Sequence, residues 1–214
     1  PEQKRETVRK AVGLGSIGPS RIETVGSDRR DAYTVNKLIL HRESGIPLPA
    51  LAFVPNGKIK GRVLYLHGES LAASKVPATL AREGKLVLSA ELSGIGETDA
   101  GRGKRTWGYG RFGLDNQEIF TAYLMGDSFV RMRIEDTLMW AGYFSGRKIE
   151  LIGQGEAGIP ALHAAALQPE LFSAVELRNM IRSWSEVVQQ PEHYNQLVNA
   201  VHGVLRHYDL PDLI

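Results

Sequence analysis

The 214 residues predict an α/β domain: a mostly parallel sheet flanked by helices and led by an antiparallel hairpin. Three observations carry that expectation. Short continuous apolar runs, "GRVLYLHG" (61 to 68), "KLVLSAEL" (85 to 92) and "KIELIG" (148 to 153), are the mark of strands buried on both faces. Helical stretches separate these runs, and strand alternating with helix calls for parallel neighbours joined by crossovers. Ahead of them, "AYTVNKLILHRE" (32 to 43) and "IPLPALAFVP" (46 to 55) read as two strands meeting at Ser44-Gly45, a hairpin.

The remaining elements follow in order. "EQKRETVRKAVGL" places Val8, Ala11, Val12 and Leu14 on one face, so residues 1 to 31 are expected to be a helical and linker segment. A short helix is expected over 74 to 84. The segment 93 to 113 is long and glycine-rich, and long loops inside compact domains are often functional. Residues 114 to 144 read as one long helical stretch with apolar faces from Phe120, Tyr123, Leu124, Met132, Leu138 and Trp140. After the strand at 148 come a helix from about Glu156 to Leu167 and a strand at 171 to 177; the remainder reads as helix and loop without a strand. Residues 32 to 214 are expected to form one domain. Both ends read as cut, which suggests a fragment of a longer protein.

Composition narrows the function. The chain is 43% hydrophobic and 23% charged, which suits a single well-buried core. The net charge of +2 is near balance, and the basic clusters at 4 to 10, 58 to 62 and 101 to 105 lie far apart without interleaved aromatics. They read as solvated surface, so no nucleic-acid partner is expected. No apolar stretch approaches the roughly 20 residues needed to span a bilayer, so no membrane partner is expected, and no signal peptide opens the chain. With no cysteine there is no thiolate chemistry or disulfide framework, and the compartment stays open.

The informative motif is "GQGEAG" at 153 to 158, a turn from a buried strand into a helix. One reading is a dinucleotide fingerprint: Gly153, Gly155 and Gly158 fit G-x-G-x-x-G, and Glu176 lies at the end of the next strand to take ribose hydroxyls. The other is a nucleophile elbow, G-x-S-x-G, in which Gly153 and Ala157 supply the small residues and Gly155 stands where the serine would be. Context separates them. A dinucleotide fold places its fingerprint on its first strand, whereas here a hairpin and two parallel-type strands come first.

On "YLHG" (65 to 68), "ELSGIGET" (91 to 98), "LIGQGEAGIPALHAAAL" (151 to 167) and "HYDLPDL" (207 to 213) the chain resembles the α/β-hydrolases, and within them the acetyl xylan esterase-like carbohydrate esterases. The resemblance implies an α/β-hydrolase-like sheet lacking its last strands, a polysaccharide or small ester as substrate, other domains of a longer chain as neighbours, no cofactor, and a periplasmic or secreted setting. It also implies that "HG" lies beside an oxyanion hole, that the loop after "ELSGIGET" borders the substrate pocket, and that the acid and histidine of a triad lie beyond Ile214. Gly155 then leaves the nucleophile position vacant, and the chain is expected to be an esterase-fold domain whose serine-dependent activity is lost or displaced, kept to bind a glycan or another domain or as a structural module.

Candidate residues are weighed against simpler roles. Glu156 could attack a carbonyl or act as a base, but an acidic residue in a helix's first turn is favoured by the dipole alone. His67 could polarise a carbonyl or order the oxyanion loop; a scaffold role suits it as well. The backbone amides of Gly68, Glu69 and Glu156 are the expected oxyanion donors, since backbone donors do not depend on side-chain identity. Trp107, Tyr109, Arg111 and Phe112 could stack on a sugar ring, and could equally pin the loop to the core. His163, on an apolar helix, is expected to be a satisfied core histidine, and Ser183 and Ser185 to cap a helix start. His193, His202 and His207 lack carboxylates at ligand spacing, so no metal is expected. Glu176 and Arg178 point toward the active edge of such a sheet, where a displaced triad acid could sit.

Overall fold

A computed structural model describes residues 2–43, 45–99, 116–191 and 196–214. The elements are α1 (Glu2–Val12), β1 (Ser20–Arg29), β2 (Tyr33–Arg42), β3 (Leu48–Pro55), β4 (Gly61–His67), α2 (Val76–Arg82), β5 (Lys85–Ala90), α3 (Asn116–Leu124), α4 (Phe129–Ala141), β6 (Ile149–Gln154), α5 (Gly158–Leu167), β7 (Phe172–Arg178) and α6 (Trp184–Gln189). The seven strands form one sheet in the order β1-β2-β3-β5-β4-β6-β7. β1, β2, β3 and β5 pair antiparallel in succession, and β5, β4, β6 and β7 pair parallel.

The alternation of side chains explains the two layers. In β4, Leu64 and Leu66 face the larger cluster, where they meet Leu88 and Leu151 of the neighbouring strands and Ile134, Trp140, Ile159 and Leu162 of α4 and α5. Val63 and Tyr65 face the other way, with Val87 and Ile152, and α2 covers them through Val76 and Leu80. Each such aliphatic side chain contributes about 1.5–3 kcal/mol on burial, so strands filled on both sides are fixed in register.

Two elements differ from expectation. β1 lies inside the segment read as helix and linker, and joins residues 20–29 to the same sheet. It is an edge strand with most side chains in solvent, so it carries no apolar alternation to read, and its register slips between Thr24 and Gly26. That slip and its charged residues keep an edge from pairing with other chains. Within the stretch 114 to 144 the described residues form two helices, α3 and α4. Gly126 takes φ 76°, and the Ser128 hydroxyl then caps α4 by accepting the Arg131 amide at 3.1 Å.

The segment after β7 is pinned back by one carboxylate. Asp209 accepts the Ser183 hydroxyl and the amides of Trp184 (2.7 Å), Ser185 (3.2 Å) and Leu210 (2.7 Å). Burial pushes its carboxyl up, but these hydrogen bonds outweigh that and hold it at about 2. Beside it, His163 is fully buried on α5. Its Nδ1 donates to Ile159 O at 2.7 Å, and its Nε2 accepts the Tyr208 hydroxyl at 2.8 Å, with Trp184 packed on both rings. The satisfied core role expected of His163 is the one observed, and Ser183 caps α6 by accepting the Glu186 amide.

The strand order also places the site. β4 has β5 on one side and β6 on the other, so the chain leaves it in one direction for β5 and returns on the other side for β6. The crevice outside the carboxyl ends of β4 and β6 is where ligands sit in open α/β sheets.

Two expected outcomes test this packing. A Cβ on Gly68 would lie 2.6 Å from the Glu156 nitrogen, a backbone atom with little freedom to move. Gly68→Ala is therefore expected to destabilise the fold by about 1–3 kcal/mol in urea unfolding. Burial lowers His163 to about 4 from an ordinary 6.5. Between those values only the unfolded chain takes up the proton, so stability is full above about 6.5 and falls by about 3 kcal/mol as pH drops toward 4. His163→Gln should be less stable at neutral pH, but its urea midpoint should lose that slope; an unchanged slope would refute the assignment.

Candidate active site

β6 ends at Gln154, and the chain turns sharply through Gly155, at φ 64°, into a short 3₁₀ turn (Gly155–Ala157) and then α5. The surrounding residues are small because there is no room for more. A Cβ on Gly153 would lie 2.7 Å from that of Ala161, and one on Gly158 would lie 2.8 Å from Met180 Cβ. Gly155 is the exception: a Cβ there would meet only the Gly68 Cα, at 3.9 Å. The apex of the turn therefore has space for a side chain, in the left-handed backbone conformation that side chains adopt reluctantly.

Glu156 does not project alone from this turn. Its Oε2 lies 3.4 Å from Arg133 Nη1, and the Arg133 side chain is only 1% exposed. The same guanidinium donates through Nε to Ser93 O at 2.9 Å and lies 5.5 Å over the Phe129 ring. Ser93 is held from three sides. Asp136 Oδ2 accepts its amide at 2.7 Å, and Arg42, itself paired with Asp136, donates to its hydroxyl at 3.0 Å. Burial pushes the Asp136 carboxyl up, and Arg42 and the Ser93 amide pull it back. The loop after β5 is thus fastened to α4, and through Arg133 to the elbow. Nothing in the spacing of "FVRMRIED" singled out Arg133 or Asp136; the only signal is a pair of opposite charges inside an apolar helical stretch.

His67 ends β4. Its Nδ1 accepts the Glu69 amide at 3.1 Å, which leaves the ring proton on Nε2, and burial lowers its affinity for a second proton. This bond changes the expected oxyanion hole. The Gly68 amide continues the β4–β6 ladder by donating to Gln154 O at 2.9 Å, and the Glu69 amide is taken by His67. Both amides are satisfied within the protein and do not face a vacant position. Trp107, Tyr109, Arg111 and Phe112 lie outside the described residues, as does His193. Glu176 and Arg178 pair with each other at 2.7 Å, with Arg178 opposite Gln154 on the neighbouring strand. Among the described residues no three His, Asp or Glu side chains gather as a metal site.

The dinucleotide reading does not fit this geometry. β6 lies between β4 and β7 and follows β4 and β5 in the chain, so it is not the first strand of a nucleotide-binding unit. Glu176 is occupied by Arg178, and the face of Gly158 is filled by Met180.

Sequence comparison finds no matching family model and no matching curated protein. Solved structures are similar in fold. A protein assigned as an acetyl xylan esterase from Bacteroides fragilis NCTC 9343 matches with a TM-score of 0.77 at 11% identity, over 99% of this chain and 63% of its own. Acetyl xylan esterase 1 from Thermoanaerobacterium sp. JW/SL YS485 matches with a TM-score of 0.63 at 15% identity, over 96% and 67%. The acetyl xylan esterase from Paenibacillus sp. R4 matches with a TM-score of 0.59 at 13% identity, over 99% and 71%. The chain thus spans less than two thirds of the Bacteroides structure. Strand order, the glycine-lined turn from β6 into α5, and these similarities together show an α/β-hydrolase fold.

Proposed function

We propose that this chain is an acetyl xylan esterase-type α/β-hydrolase domain in which Gly155 occupies the position of the nucleophilic serine, so that it holds a carbohydrate ester without cleaving it. The observation that carries this reading is Gly155 itself. It sits at the apex of the turn at φ 64°, with a Cβ's place open to 3.9 Å, while Gly153 and Gly158 on either side of the turn have no room for a Cβ.

The chemistry follows from what the turn supplies. In serine-dependent ester cleavage a hydroxyl oxygen at the apex attacks the acyl carbon, and the oxyanion that forms is held by backbone amides at the start of the following helix. Glycine has no atom to form that bond. Glu156 is a poor replacement, because its carboxylate is drawn toward Arg133 rather than to the open side of the apex. The proposed ligand is an acetylated or methyl-esterified polysaccharide, bound at the crevice between the ends of β4 and β6.

The test is a chromogenic acetyl ester together with a serine-directed phosphonate. The protein is expected to be inert to both. In the full-length protein, Gly155→Ser is expected to fold, at a cost of about 1–3 kcal/mol for a serine in the left-handed region, and to form a covalent phosphonate adduct on residue 155. Wild-type hydrolysis abolished by Glu156→Gln would overturn the reading in favour of a carboxylate mechanism. A folded Gly155→Ser that stays unlabelled would remove the elbow assignment.

A further inference from the structure

A second concave surface lies at the other end of the sheet. β3 runs antiparallel to β5, with Phe53 opposite Val87 near the start of β5, and Tyr33 opens β2 opposite Pro55. These residues therefore sit toward the amino ends of the parallel strands, away from the elbow. Together with the carboxyl end of α2 they enclose a groove of about 830 Å³.

Its chemistry has three parts. The floor is aromatic: the Tyr33 and Phe53 rings lie 5.7 Å apart, and the Arg82 guanidinium covers Tyr33 at 5.5 Å. The rim is cationic: Arg29, Lys37 and Arg82 all line the groove, all are exposed, and none has a carboxylate partner among the described residues. The third part is Asp31, also exposed on the rim and without an ion pair among the described residues. The half-buried Phe53 ring offers an apolar face to a sugar ring, cations without a carboxylate partner suit carboxylates, and an exposed carboxylate accepts hydrogen bonds from hydroxyls.

We propose that this groove binds an acidic polysaccharide of the uronic-acid type, as a site separate from the elbow. A neutral glycan would leave three cations without partners. A nucleic acid would bring phosphates against Asp31 with no hydroxyl-rich surface to compensate. A uronate chain supplies both the anions and the hydroxyls. The site stands on this groove alone and does not depend on the fate of Gly155.

The experiment is calorimetric titration of the protein with a homogalacturonan oligosaccharide, with a neutral xylo-oligosaccharide and a single-stranded DNA as comparisons. Binding to the uronate is expected, weakening as salt is raised. The double variant Arg29→Ser, Arg82→Ser should bind at least about tenfold more weakly, the loss of roughly one charge-assisted contact or more. Both side chains are exposed, so the variant should stay folded, with its urea midpoint lowered only by the loss of the Arg82–Tyr33 contact. Absence of uronate binding, equal binding of the neutral sugar, equal binding of DNA, or a double variant that binds normally would each overturn the proposal.

Discussion

The approach of two backbones at the ends of β4 and β6 is the constraint on which the rest of the site depends. The Gly68 amide reaches Gln154 O at 2.9 Å, one residue beyond the end of β4, and brings its Cα so near the elbow that a Cβ would lie 2.6 Å from the Glu156 nitrogen. Because the ladder continues this far, the turn after β6 has no room to relax toward β4. It must reverse within Gly155, which takes the left-handed conformation, and α5 then starts directly against the sheet with Gly153 touching Ala161. Small residues at these places are a geometric requirement of the close approach. The same approach uses up the Gly68 donor, which is why a loop with the right sequence for an oxyanion hole does not present that amide to a ligand.

A second set of contacts holds the loop after β5 in register with the elbow, and it is built from charges that are costly to bury. Asp136 is fully buried and Arg133 nearly so. Such groups are tolerated only when their hydrogen-bonding capacity is filled, and removing one partner costs more than the pair contributes. Here Ser93 supplies an amide, a carbonyl and a hydroxyl to three different charged side chains from β2 and α4. Directional bonds at three points fix a loop's position in a way that apolar packing does not. Since Arg133 also reaches Glu156, the loop and the elbow share one anchor. Glu156 is then best understood as the outer end of this anchor, which agrees with the expectation that a first-turn carboxylate has reasons to be there without catalysis.

The parts of the fold that were legible in the sequence are those where one physical demand dominates. "RVLYLH" and "KIELI" are apolar without interruption because β4 and β6 are covered on both sides, and their order around the glycine turn was enough to favour a hydrolase-type sheet over a nucleotide-binding one. β1 was not legible, because a strand with most of its side chains in solvent and only Ile22 packed on the core shows no apolar alternation; its residues Arg21, Glu23, Asp28 and Arg29 would suit a loop equally well. The break at Gly126 was hidden by apolar residues on both sides of it. At the site, Gly153, Gly155 and Ala157 could be read from spacing, since close packing restricts residue type. The roles of Arg133, Asp136 and Ser93 could not, because their partners lie forty or more positions away along the chain in several cases. His163 shows the intermediate case: its burial could be inferred from "ALHAAAL", but Tyr208, the residue that makes that burial tolerable, could not.

The apex residue joins stability to the proposed loss of chemistry. A serine held at φ 64° carries a strain of about 1–3 kcal/mol, and the fold must supply that from packing elsewhere. Glycine adopts the same backbone without that strain. Replacing the serine by glycine therefore leaves the turn, its small flanks and the crevice in place while removing both the nucleophile and the strain that presented it. Had the residue been free to change without regard to geometry, alanine or valine would remove the nucleophile as well, but each would keep a side chain in the left-handed region. Glycine is the one residue that keeps the shape of this turn without a side chain in the left-handed region, and that is the physical basis of the proposal that the site binds without cleaving.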